Sequence, residues 1–154
     1  MKKGVIFDAD VEGYEYIWEP TPNGGDFTVI SYRDKYHRRC KKEDAVSIVT
    51  MELKNDGTLV NMEWNDEPAL DEGERREGQL LHAEDYAKEN NWAIKDYAFD
   101  KSYLFVRYSN PNSFEDVIVR IDNWLFNKIE LTELAERNSA MKIIRSARDR
   151  RLRR

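Results

Sequence analysis

Six arginines fall within residues 145–154: Arg145, Arg148, Arg150, Arg151, Arg153 and Arg154, interrupted by a single acid, Asp149. Guanidinium groups at that density suit phosphates and carboxylates, whose paired oxygens match the planar fork of donors. A second basic cluster spans 32–42, where Arg33, Lys35, Arg38, Arg39, Lys41 and Lys42 oppose only Asp34 and interleave with Tyr32, Tyr36 and His37. Rings among cations are the residue types that stack on bases while holding a phosphate backbone. Cys40, the one cysteine, lies inside this cluster, and the cations on either side favour its thiolate form. A catalytic thiol also needs an oriented base and an oxyanion hole, so an ordinary thiol in a basic loop is the expectation. His37 and His82 stand in no metal-ligand spacing, and neither a metal nor a cofactor is expected.

Two carboxylates raise a different chemistry. Val5-Ile6-Phe7-Asp8-Ala9-Asp10 is an apolar run ending in Asp-x-Asp, and it resembles the first motif of the haloacid-dehalogenase phosphotransferases. The resemblance implies a nucleophilic Asp8, a general acid/base Asp10 and Mg²⁺ held by both. It covers about ten residues, a short motif. Glu12 stands where the family has Thr or Val, and strands with a hairpin follow in place of an alternating β/α body. Taken by themselves the residues describe a first strand running into an acidic turn, so no catalytic residue is assigned. Neither a nucleophile elbow nor a phosphate loop is present, since Asn23-Gly24-Gly25-Asp26 lacks the lysine of phosphate cradles.

The arginine run has a partial local cause. Glu130, Glu133 and Glu136 precede it, and acids before arginines suit a helix dipole, but that effect is about 0.3–1 kcal/mol per charge and fades within a turn. Six arginines exceed it. They can neutralise phosphates, dock on the acid-rich stretch 61–90 of the same or a neighbouring chain, or fray into solvent; docking or fraying is the first expectation and nucleic acid the second. That stretch carries ten acids against Arg75, Arg76 and Lys88, so the chain's net charge of −5 conceals strongly zoned segments.

Positioning these groups falls to a run of strands followed by helices. Tyr14, Tyr16 and Trp18 alternate on one face, Phe27-Thr28-Val29-Ile30-Ser31-Tyr32 is β-branched and aromatic, and Pro20-Thr21-Pro22-Asn23-Gly24-Gly25 turns between them. Residues 46–64 form a hairpin about Asn55-Asp56-Gly57. Residues 65–78, with Pro68, Gly73 and Gly78, suggest a solvated loop, and Leu80, Ala83 and Ala87 a helix over 79–90. Strands are expected at 92–99 and 103–108. From Ser113 the period turns helical, with Phe114, Val117, Ile118, Ile121, Trp124 and Leu125 on one stripe and Asp116 three residues after Ser113 as in a capping box; the rival reading is a strand at Val117-Ile118-Val119, and the helix is preferred because the stripe extends beyond that triplet. A phase slip over 127–132 splits that region into two helices, the second carrying Leu134, Met141, Ile144 and Ala147.

The expected fold is therefore a single α+β domain over 1–154: an antiparallel, aromatic-rich sheet of six or seven strands, a short middle helix and two C-terminal helices over 113–154. The 4 Trp, 8 Tyr and 6 Phe supply a core despite 36% charged residues, no apolar run is long enough for a membrane span, and no leader or disulfide pattern points away from the cytoplasm. The leading functional expectation is a small non-catalytic cytoplasmic protein that binds a protein partner or itself through its C-terminal helices and segregated charges. The second is a nucleic-acid-binding accessory protein using Arg38, Arg39, Lys41 and Lys42 with Arg145, Arg148, Arg150, Arg151, Arg153 and Arg154, and the remote third a phosphotransferase at Asp8 and Asp10.

Overall fold

The computed structural model describes residues 13–65, 69–123 and 126–152. The expected strand at 5–7, the pair Asp8 and Asp10, and Arg153 and Arg154 lie outside the described residues. Eight strands and two α-helices are described, in two compact units, 1–69 and 70–154.

The N-terminal unit is an antiparallel meander in the order β1-β2-β3-β4: β1 (Tyr14–Ile17), β2 (Phe27–Arg33), β3 (Ser47–Leu53) and β4 (Leu59–Asn65). Opposed residues share a face. Tyr16, Val29, Met51 and Met62 form one row and Tyr14, Ser31, Val49 and Trp64 the next. Phe27, Val29 and Leu53 form a buried cluster on that face, with Tyr14, Tyr16, Trp18 and Met51 packed against it. The hairpin between β3 and β4 forms where expected, because Gly57 takes φ +90° and closes the turn by donating its N–H to the Lys54 carbonyl.

The C-terminal unit runs α1 (Glu72–Asn90), β5 (Ala93–Asp100), β6 (Tyr103–Ser109), β7 (Val117–Ile121), β8 (Lys128–Glu130) and α2 (Leu134–Leu152), its strands forming a second antiparallel meander. Tyr108 on β6 donates its hydroxyl to the Ala83 carbonyl of α1, and Gln79 of α1 donates to the Ile121 carbonyl. Phe105 and Ile118 pack against Ala140 and Met141 of α2. Tyr108 and Phe105 point to opposite faces of β6, so the sheet is covered by a helix on each side.

The sequence expectation of α+β with antiparallel strands holds; four details are corrected. One sheet becomes two. The helix expected over 113–125 is the interior strand β7, whose Val117, Ile118, Val119 and Ile121 are all buried because successive residues face α1 and α2 in turn. An unbroken apolar run satisfies either period, whereas Phe114, a member of the supposed stripe, is wholly exposed. The phase slip at 127–132 is β8 and its loop, leaving one C-terminal helix in place of two. Finally, α1 starts at Glu72 and not at 79: the Asp71 carboxylate accepts the Glu74 N–H while the Glu74 side chain accepts the Asp71 N–H, a capping box that starts the helix before Gly73 and Gly78.

Candidate anion-binding cleft

The two basic clusters are built on different units and differ in form. In the N-terminal unit, Asp34 folds residues 34–38 into a tight turn by accepting the N–H groups of Tyr36 and Arg38. His37 takes φ +60° there and sets its buried ring edge-on to Trp64, 5.1 Å between centroids. Arg39 then lies over Tyr14 at 5.1 Å and Lys42 over Tyr32 at 5.8 Å. Tyr14 shares its row with Ser31, so Tyr14 and Tyr32 belong to opposite faces of the sheet and the cluster is divided between them. Arg38 and Cys40 are half-buried and Lys41 is exposed. Gly13, at φ +89°, permits the close passage of Arg39, because a Cβ there would overlap the Arg39 side chain.

On the Tyr32 face, the Tyr32 hydroxyl donates to the Glu15 carboxylate. That hydrogen bond, then burial and the Glu15 charge, push the Tyr32 hydroxyl up to about 12. His82 is buried in the C-terminal unit, stacked on Phe126 with its Nδ1 3.3 Å from the Lys128 ammonium. Among the described residues no group of three metal-ligating side chains comes together.

The C-terminal arginines are helical to Leu152 and partly docked. Their partners come from β5. Asp96 receives a bidentate bond from Arg107, at 3.0 and 3.1 Å, and Arg148 approaches its second oxygen at 3.7 Å. Arg151 donates to the Tyr97 carbonyl at 3.0 Å with its guanidinium carbon 5.1 Å from the Tyr97 ring centre. Arg145 and Arg150 are exposed; Arg145 borders a separate shallow hollow with Asn138 and Lys142.

Where the end of α2 passes the edge strand β5, a cleft of about 460 Å³ opens, lined by Arg76, Tyr97, Ala98, Phe99, Ala147, Arg150 and Arg151. Ala98 and Ala147 let helix and strand approach, and Tyr97 and Phe99, half-buried, stand 6.2 Å apart and edge-to-face. Arg76 reaches in from the first turns of α1, held by Glu72 at 3.0 Å, with its guanidinium carbon 5.3 Å from the Phe99 ring centre. A second hollow, about 400 Å³, adjoins through Arg76 and adds Arg75 and Lys101, with Glu72 as its acid. Lys101, at φ +55°, turns the chain between β5 and β6. Fixed cations, flat rings and concavity together give this place the means to hold an anion with a planar part.

Of the expected site residues, Arg150 and Arg151 line this cleft, Arg148 braces α2 beside it, and Arg145 lies apart. The sequence reading missed Arg75 and Arg76, which sit in an acid-rich tract, and Tyr97 and Phe99, which read only as strand residues. Their signal was the two-residue spacing of two rings on an edge strand. An apolar groove of about 300 Å³ lies along the earlier part of α2, lined by Tyr103, Phe105, Leu131, Ala135, Ala140 and Ile143 among others. Comparison with protein-family models, with curated proteins and with solved structures finds no match to this chain.

Proposed function

We propose that the chain is a small non-catalytic cytoplasmic interaction protein, and that its C-terminal unit receives an anionic macromolecular partner in the cleft beside β5. The observation that supports this is the convergence of Arg76, Arg150 and Arg151 from both helices upon Tyr97 and Phe99. Helix-dipole compensation accounts for cations on the last turn of α2, but not for one brought from α1 to the same place. Arg148 contributes indirectly, because its approach to Asp96 holds that end of the helix against the sheet.

The test is binding of a flexible polyanion, polyglutamate or heparin, to the whole chain over a range of salt. Affinity is expected to fall steeply as salt rises, and Arg150→Glu to weaken it severalfold, since Arg150 is exposed and its reversal disturbs no packing. Equal affinity in the variant would remove the cleft from the proposal.

A further inference from the structure

Two of the cleft's three guanidinium groups already have a donor spent within the protein. Arg151 spends one Nη2 donor on the Tyr97 carbonyl, and Arg76 spends one on Glu72. Each also lies over a ring, Tyr97 and Phe99 respectively, with the carbon 5.1 and 5.3 Å from the ring centre. A guanidinium held by one edge beside a ring is positioned to add its plane to that ring as a stacking surface. A carboxylate is recognised through the N–H edge, whereas a nucleobase stacks on the plane. Arg150, Arg75 and Lys101 also line the cleft or the adjoining hollow. They are placed to meet charge, and they extend beyond the span of one phosphate because the two hollows meet at Arg76. Among the described residues lining the two hollows the acid is Glu72, already committed to Arg76.

The geometry points to single-stranded nucleic acid as the partner, its bases stacking on the Arg76 and Arg151 planes and on the Tyr97 and Phe99 rings, and its phosphates meeting Arg150, Arg75 and Lys101. This rests on the reading of the cleft as an anion site and narrows it. A duplex fits poorly, because its bases are already stacked on one another and offer a concave cleft only their phosphates.

The decisive measurement is fluorescence anisotropy of the whole chain with a short labelled oligonucleotide, single-stranded and as duplex, and with labelled polyglutamate at matched salt. The single strand is expected to bind tightest. Arg76→Lys combined with Arg151→Lys keeps both charges and removes both planes; it is expected to weaken the single strand about tenfold and polyglutamate far less. Arg150→Ala is expected to lower the slope of log affinity on log salt by about 0.7, the value for one phosphate contact on a single strand. Duplex or polyglutamate binding as tightly as the single strand, or an unaffected double lysine variant, would overturn the nucleic-acid inference and leave the anion-site reading standing. Failure of all three ligands to bind would overturn both.

Discussion

The two units solve the same topology differently. Both are four-stranded antiparallel meanders, yet one sheet lies between two helices and the other sets its buried cluster of Phe27, Val29 and Leu53 on one face. In the C-terminal unit β7 is buried on both sides, so charges are driven to strand edges and helix ends, where they collect beside β5. In the N-terminal unit polar residues alternate with apolar ones, and Arg39 and Lys42 of the basic segment lie over rings on opposite faces. Charge zoning of similar strength in sequence thus gives a concentrated cleft in one unit and dispersed pairings in the other. Architecture, not composition, decides which basic segment lines a cleft.

The sharpest way to break this comparison is to hollow out each core in turn. Phe27 and Ile144 are both fully buried, one in each unit. Phe27→Ala should cost about 3–5 kcal/mol and Ile144→Ala about 2–5 kcal/mol. Followed by hydrogen exchange, Phe27→Ala is expected to loosen strands β1 to β4 and Ile144→Ala strands β5 to β8. If either variant accelerated exchange equally throughout the chain, the units would be one cooperative block and the comparison would lose its basis.

What the sequence made legible follows the same division. β1 to β6 were readable because their apolar residues alternate, and the β3–β4 turn because Asn55-Asp56-Gly57 supplies a left-handed glycine. β7 was ambiguous, Val117-Ile118-Val119 reading as strand or helix, because a strand covered on both faces loses the alternation that distinguishes it from a helix. The start of α1 was written in the sequence as Asp71 and Glu74, three apart, but Pro68, Gly73 and Gly78 suggested a loop. As for the site, Arg150 and Arg151 were visible as a local cluster. Arg76 and the ring pair were not, since they meet only after α1, β5 and α2 have packed.

A smaller effect probes how the helices hold the C-terminal sheet. Gln79 is 2% exposed, and its amide donates to the carbonyls of Ser102 and Ile121, at 3.0 and 2.9 Å. Gln79→Leu keeps the bulk and leaves both acceptors without that donor, which should cost about 1–3 kcal/mol in denaturant unfolding. Because the adjoining hollow includes Gln79 and Ser102, the variant should also weaken anion binding there. A stability unchanged within error would mean that apolar packing of α1 alone holds it in place.

The smallest expected effect separates two tyrosines that resist ionisation for different reasons. Tyr108 is raised chiefly by burial beneath α1, its hydroxyl donating to Ala83, whereas Tyr32 is raised to about 12 chiefly by donating to Glu15. Unfolded tyrosine loses its proton near pH 10, so the stability contributed by Tyr32 is complete below that pH and declines as pH rises from 10 towards 12. Tyr32→Phe should cost about 0.5–1 kcal/mol at neutral pH and flatten the alkaline decline of the N-terminal strands. Tyr108 remains in that variant, so the C-terminal strands should still lose protection in alkali. Region-resolved hydrogen exchange at neutral and alkaline pH reads both slopes at once. An undiminished alkaline decline in β1 to β4 would show that another group, not the Tyr32–Glu15 pair, links that sheet to pH.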